Sequence, residues 1–171
     1  LWYIEVAIRN NRDKPAISNY GATTYTYGEI AGNVAKLHIL FEKCGLKKGD
    51  HIAIASRNSA EWCIAFIAIA SYKAVAVPLL PDFLPDNIAH LTKLSDSKLV
   101  LVDKYVLAGL KKSGSLDKMA GTDGLIGVFD IVSLTSIVSC DALDNVANGD
   151  IEDLYNNEYP GGYTMADLAY P

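Results

Sequence analysis

Apolar residues along the chain recur at two different spacings, and the places where the spacing changes mark the elements. Over Leu1 to Asn11, Trp2, Val6 and Arg9 recur at helical spacing with Ile4 and Ile8 on a neighbouring face, which predicts a short helix on the domain surface. Ala16 to Ser18 and Thr23 to Tyr25 flank the turn residues Asn19, Tyr20 and Gly21, the pattern of a small β-hairpin. Thr26, Tyr27, Gly28 and Glu29 then form a Thr-x-x-Glu capping box, in which each end residue satisfies a backbone N–H of the other, so a helix is expected to begin there. Ile30, Val34, Leu37, Phe41 and Cys44 follow at intervals of four and three. They form one apolar stripe, and Gly45 is the expected left-handed stop.

After a turn at Gly49 and Asp50, His51 to Ser56 carries the continuous apolar run Ile52 to Ala55 and reads as a buried strand. Asn58 and Ser59 can both cap the next helix, with Glu61 three residues after Asn58. Trp62 to Tyr72 is apolar on nearly every face, so this helix must be covered on more than one side. Ala74 to Leu80 is a second continuous strand, stopped by Pro81, Asp82 and Pro85. Pro85 suits the first turn of a further helix with Ile88, Leu91, Thr92 and Leu94 on one side, and Lys98 to Val102 is the third strand. Strand and helix thus alternate over residues 51 to 102, with connections long enough for crossovers. The expected fold class is α/β, a mainly parallel sheet flanked by helices, preceded by the small N-terminal hairpin.

Beyond Asp103, Tyr105 to Lys112 reads as a helix, Leu125 to Val132 as a fourth strand, and Ser133 to Val138 as either strand or helix. From Cys140 onward Asp, Asn, Gly and Tyr dominate, so residues 141 to 163 read as exposed loop with room for one short helix, within a loop-rich tail over 141 to 171. With no internal repeat, residues 1 to 171 are expected to be a single domain, a size that matches the usual ~100 to 150 residues.

Composition narrows the function classes. Half of the residues are hydrophobic and a fifth are charged, which excludes a disordered chain. A net charge of -5, with Lys47–Lys48 and Lys111–Lys112 as mere pairs, offers no footprint for nucleic acid or an acidic membrane surface. The longest uncharged apolar run, Trp62 to Tyr72, falls short of the about 18 residues needed to span a bilayer. Cys44, Cys63 and Cys140 are odd in number and far apart, and read as reduced core thiols of a cytoplasmic protein. The chain begins at Leu1 rather than Met, and a trimmed start is expected.

Candidate chemistry is sparse. No Gly-x-x-x-x-Gly-Lys-Ser/Thr loop, His-Glu-x-x-His or Cys-x-x-Cys occurs. Gly121, Gly124 and Gly127 precede and enter a strand, the wrong order for a dinucleotide fingerprint, and read as turn residues. His38, His51 and His90 have no partner at ligand spacing. Ser56, at a strand end, lacks the Gly-x-Ser-x-Gly elbow that would expose its hydroxyl. Asp82 and Asp86 follow a strand where ligands often bind in open α/β sheets, although turn and helix capping account for them as well.

One set of motifs goes further. Thr26-Tyr27-Gly28-Glu29-Ile30, Gly45-Leu46-Lys47-Lys48-Gly49-Asp50-His51-Ile52-Ala53-Ile54, Asn58-Ser59-Ala60-Glu61-Trp62 and Ala74-Val75-Ala76-Val77-Pro78-Leu79 occur in that order. The stretch from Tyr25 to Val102 thereby resembles the N-terminal region of the adenylate-forming superfamily, which contains acyl-CoA synthetases, peptide-synthetase adenylation domains and luciferases. The Asn-Ser-x-Glu-Trp segment is more similar to fatty acyl-CoA ligases. The sequence departs from the family at Lys73, where Gly is usual and where a Lys in a left-handed cap would be strained, and at Leu80-Pro81.

The resemblance implies a two-step reaction: a carboxylic or fatty acid and ATP give an acyl adenylate, and a thiol, usually that of coenzyme A, then takes the acyl group. ATP, Mg2+ and coenzyme A are the cofactors implied for the parent enzyme, with none expected to bind tightly to this stretch. The family's Ser/Thr/Gly-rich loop ending in Pro-Lys-Gly, its aromatic-Gly-x-Thr-Glu segment, its ribose-binding Asp and its C-terminal Lys match no position here, and Tyr163-Thr164-Met165 is not that loop. No catalytic, cofactor-binding or metal-binding residue is therefore assigned. The chain is expected to be the N-terminal scaffold of such an enzyme, inert alone. A stand-alone flavodoxin-like binding module and a degenerate, non-catalytic adenylation relative are the alternatives.

Overall fold

The computed structural model describes residues 2–139 and 150–163. Helix α1 (Trp2–Asn11) buries only Ile8, as its weak stripe implies. The antiparallel hairpin β1 (Pro15–Ser18) and β2 (Thr24–Thr26) follows, turned at Gly21 with φ of 67°. Helix α2 (Tyr27–Lys43) begins with the capping box: Thr26 Oγ1 accepts from the Glu29 N–H at 3.2 Å, and a Glu29 carboxylate oxygen accepts from the Thr26 N–H at 2.7 Å. It ends at Gly45, φ 69°, where the Leu46 N–H donates to Phe41 O and the Gly45 N–H to Glu42 O. Those two bonds satisfy carbonyls that the helix end would otherwise strand.

Strands β3 (His51–Ala55), β4 (Val75–Leu79), β5 (Ser97–Val102), β6 (Gly127–Asp130) and β7 (Ser136–Ser139) form one sheet in the order β4-β3-β5-β6-β7. The first four run parallel, and β7 pairs antiparallel with β6. The stretch 133 to 138, which pattern alone left between strand and helix, is thus the turn into β7 and most of that strand. Asp130 sets the turn, its Oδ1 accepting from the N–H groups of Val132 and Ser133.

Helix α3 (Ala60–Ser71) joins β3 to β4, and α4 (Pro85–Leu94) joins β4 to β5. After β5 come α5 (Lys104–Ser113) and α6 (Ser115–Ala120), the latter separated from α5 by Gly114 in a left-handed conformation, φ 72°. Sequence periodicity ended the helical region at Lys112 and passed over α6, which is too short to show a repeat. Within the segment read as loop-rich, Asp150–Glu158 forms α7. It buries Ile151 and Tyr155 against α2. Cys140 and residues 141 to 149 lie outside the described residues.

Alternation along each strand divides the core in two. Ile52, Ile54, Leu99, Leu101 and Phe129 face α1, α2, α3 and α7. Ala53, Ala55, Val100, Val102 and Val128 face α4, α5 and α6. Helix α3 stops at Lys73, φ 65°, with the Ala74 N–H donating to Ile69 O and the Lys73 N–H to Ala70 O. The geometry is that of the Gly45 stop built on a residue with a Cβ, so the strain expected from the sequence is present.

Candidate functional site

From β3 the chain runs to β4 on one side through α3, then returns past β3 to β5 through α4 on the other face. The loops leaving β3 and β5 therefore diverge, and a crevice opens outside their carboxyl ends. In open α/β sheets this switch point is where ligands bind.

Four residues define it here. Ser56 and Arg57 leave β3, Asp103 leaves β5, and Tyr105 lies in the first turn of α5. Asp103 braces the crevice: its Oδ2 accepts from the Arg57 backbone N–H at 3.1 Å and Nε at 3.3 Å, while its Oδ1 accepts from the Val106 N–H at 2.8 Å and caps α5. The Arg57 guanidinium also lies over the Tyr105 ring, 4.9 Å from its centroid. Ser56 is buried and donates its hydroxyl to Arg57 O, so it is not an exposed nucleophile. Both Asp103 oxygens are engaged, so Asp103 holds the two loops in register.

A second polar cluster joins the hairpin to α3. Both Glu61 carboxylate oxygens accept from Asn19 Nδ2 at 3.1 Å, and Oε1 accepts from the Tyr25 hydroxyl at 2.8 Å. Asn19 Oδ1 in turn accepts from the Ala60 N–H. Burial works to raise the Glu61 pKa, but its own N–H and the Tyr25, Asn19 and Ser59 donors outweigh burial and hold it below the usual carboxylate range. Burial and the adjacent carboxylate push Tyr25 up to about 12. The cap of α3 is Ser59, whose Oγ accepts from the Trp62 N–H at 3.1 Å; Glu61, three residues after Asn58, serves the hairpin instead. Its tie to Asn19, 42 positions away, has no local sequence signal. A cavity of about 30 Å³ beside the cluster, lined by Tyr25, Asn33, Leu37 and Glu61 among others, has room for about one water.

Asp86, in the first turn of α4, accepts from Ser115 Oγ at 2.6 Å and Lys118 Nζ at 2.8 Å, and these two donors hold its pKa down; it ties α4 to α6. Asp82 follows the edge strand β4, away from the switch point. His38 Nε2 bonds Ala68 O at 3.0 Å and Ser71 Oγ at 2.9 Å, and burial lowers its pKa. His51 Nδ1 bonds Ser95 O, and His90 is exposed. Cys44 is buried, which pushes its thiol up to about 12, while Cys63 is half-buried. Gly121 ends α6, Gly124 sits in the following turn, and Gly127 lies in β6 where a Cβ would come within 2.8 Å of Val138 O. Among the described residues no group of three or more His, Cys, Asp and Glu could hold a metal ion, and no helix is long and apolar enough to cross a membrane.

A mainly parallel α/β sheet with one antiparallel edge, entered through a hairpin and a capped helix, defines the class. The family model for AMP-binding enzymes matches residues 4–157, and the chain belongs to that family. Among characterised relatives, surfactin synthase subunit 2 of Bacillus subtilis is 27% identical over 124 residues, covering 72% of this chain and 3% of the synthase subunit. 4-Coumarate–CoA ligase 4 of Arabidopsis thaliana is 27% identical over 124 residues, covering 68% of this chain and 22% of the ligase. Among solved structures, a fatty acyl CoA synthetase of Mycobacterium tuberculosis superposes with a TM-score of 0.67 at 16% identity, over 99% of this chain and 29% of that one. The chain thus spans well under two thirds of the relatives it matches.

Proposed function

We propose that the chain is the N-terminal scaffold of an adenylate-forming acid–thiol ligase, which condenses a carboxylic acid with ATP to an acyl adenylate and passes the acyl group to coenzyme A. The observation that carries this reading is the family match across residues 4–157, together with the fold likeness to a fatty acyl CoA synthetase. Proteins named as a nonribosomal peptide synthetase and as CoA ligases both occur among the similar chains, and acyl activation is the step this reading takes from the two. The Asn58-Ser59-Ala60-Glu61-Trp62 segment and the fatty acyl-CoA synthetase neighbours favour coenzyme A as acceptor and a fatty acid as donor.

Residues 1 to 171 make one domain in this reading, the first part of the AMP-binding domain, and their contribution is positional. Asp103 fixes the β3 and β5 loops, and Glu61 fixes the hairpin on α3. In this reading the carboxylate for Mg2+ and the loop that receives the phosphates come from the remainder of the polypeptide, since the sequence has no glycine-rich phosphate loop. No step is therefore assigned to this stretch. ATP, Mg2+ and coenzyme A belong to the remainder of the polypeptide, and this stretch alone is inert.

The test is fatty-acid-dependent exchange of pyrophosphate into ATP, run on this chain and on the same sequence carried through to its natural end. Exchange in the longer chain alone is the expected result. Absence of exchange from both, with short and long acids alike, would refute the ligase reading.

A further inference from the structure

Gly28 and Gly32 stand four positions apart in the first two turns of α2 and so share one face of the helix. Each is closed over by a side chain from a distant part of the sequence. A Cβ at Gly28 would lie 2.9 Å from Arg12 Cγ and 3.1 Å from Arg12 O, and one at Gly32 would lie 2.9 Å from the Tyr155 hydroxyl. Glycine weakens a helix relative to alanine, and the bare face is accounted for by what it seats. Further contacts keep the two side chains there. The Gly28 N–H donates to Arg12 O at 2.8 Å, and Lys36, one turn on from Gly32, pairs with Glu152 at 2.6 Å and lies over the Tyr155 ring, 4.9 Å from its centroid.

Arg12 and Tyr155 converge on one residue. The Tyr155 hydroxyl accepts from the Tyr163 N–H at 2.9 Å, and Arg12 Nη2 donates to Tyr163 O. Tyr163 lies beyond α7, outside any helix or strand, where backbone groups commonly turn to water. Here both are taken by side chains, one from eight positions back and one from 151. A turn closed by the Gly162 N–H on Tyr159 O at 2.8 Å, with Gly162 at φ 77°, brings the chain back onto α7. The Tyr163 ring then meets that of Tyr159 edge-on, with centroids 5.0 Å apart. A residue with no helix or ladder around it is thereby held at its N–H, its carbonyl and its ring.

We propose that Arg12 and Tyr155 are positioning residues: seated on the glycine face of α2, they fix the direction in which the polypeptide leaves Tyr163 for the part that holds the substrates. This role rests on the reading of the chain as the first part of a longer ligase. In such an enzyme the exit direction at Tyr163 sets where the substrate-holding part stands relative to this domain. A misplacement of about 1 Å at the reacting groups costs on the order of a hundredfold in rate.

The test uses the sequence carried through to its natural end. Tyr155→Phe keeps the ring and removes the acceptor, and Arg12→Met removes the donor. In each, the maximal rate of fatty-acid-dependent pyrophosphate exchange falls about tenfold, with KM for ATP and for the acid unchanged and circular dichroism showing a folded protein at the assay temperature. Arg12→Lys keeps a donor and retains most of the wild-type rate. In protein labelled with 15N-tyrosine, the Tyr163 amide is protected from hydrogen exchange in the wild type and opens in Tyr155→Phe. A Tyr163 amide that exchanges freely in the wild type overturns the proposal, as do variant kinetics equal to wild type once that amide has opened. A rate that falls only where the variant begins to unfold assigns the loss to stability and overturns it too. Absence of pyrophosphate exchange from the wild-type longer chain removes the ligase reading itself, which wild-type activity with unaffected variants leaves standing.

Discussion

On one face of the sheet lie α1, α2, α3 and α7, drawn from both ends of the described chain; on the other lie α4, α5 and α6, which follow one another within 36 positions from Pro85 to Ala120. The first face is closed by long-range contacts. Tyr72 donates to Leu46 O, Phe41 packs edge-on against the Tyr72 ring, and Tyr155 of α7 sits over Gly32 of α2. The second face is closed within its own stretch, with Asp103 capping α5, Gly114 turning into α6 and Asp86 tied to Ser115 and Lys118 across 29 and 32 positions, whereas Gly32 and Tyr155 lie near opposite ends of the described chain. Loop-closure entropy must be overcome before distant contacts contribute, so the first face forms only as the whole domain condenses. Its helices are those whose pairing the sequence does not announce.

Core truncations test this difference most strongly. Phe41 and Leu110 are both fully buried, on the first and second faces. Phe41→Ala is expected to cost ~3 to 5 kcal/mol and Leu110→Ala ~2 to 5, by loss of apolar burial and the cavity left behind. Urea denaturation of both variants measures the pair. A larger loss at Leu110 than at Phe41 would reverse the expected order.

Gly32→Ala addresses the α2–α7 contact alone. A Cβ there would lie 2.9 Å from the Tyr155 hydroxyl, which is pinned because it accepts from the Tyr163 N–H at 2.9 Å. The expected cost is ~1 to 3 kcal/mol from overpacking. Hydrogen exchange should show α7 amides losing protection while α5 keeps its own; equal losses in both would mean that the faces are not separable.

His38 gives the first face a pH dependence. Burial lowers its pKa below the ordinary 6.5, so the folded chain binds its proton less readily than the unfolded chain. The contribution is fully present above pH 6.5 and is lost as pH falls from there through the lower folded value. In His38→Gln that acid slope should flatten, as read from thermal midpoints across the range; an unchanged slope would place the titration elsewhere. The smallest effect concerns the end of α3. Lys73→Gly relieves a left-handed residue and should stabilise by ~0.5 to 1 kcal/mol, less than the full strain because Gly also loosens the unfolded chain. A lower melting temperature would show that the Lys73 side chain contributes more than its backbone costs.

How much was legible follows the same division. The capping box at Thr26, the stop at Gly45, the three strands between His51 and Val102 and the proline entry to α4 are local signals, and each stands within a residue or two of its expected place. Leu94 departs from its expected stripe and is 70% exposed, because six residues from Ile88 carry a helical position round to another side. Asp82 and Asp86 were the acidic candidates at a strand end, yet the crevice is braced by Asp103 and Arg57, which nothing in their neighbours singles out. Their pairing depends on β5 lying beside β3, and strand order is not written in the period of either strand.

The chain's own pattern was enough for the element types from Thr26 to Lys112, the parallel α/β class and the family likeness, since capping, periodicity and turn chemistry act over a few residues. The three-dimensional fold alone decided that β4 lies outside β3, that Glu61 ties the hairpin to α3, and that α7 returns to α2. Each of these is a contact between residues far apart in sequence, selected by which surfaces could be buried together once the sheet had formed.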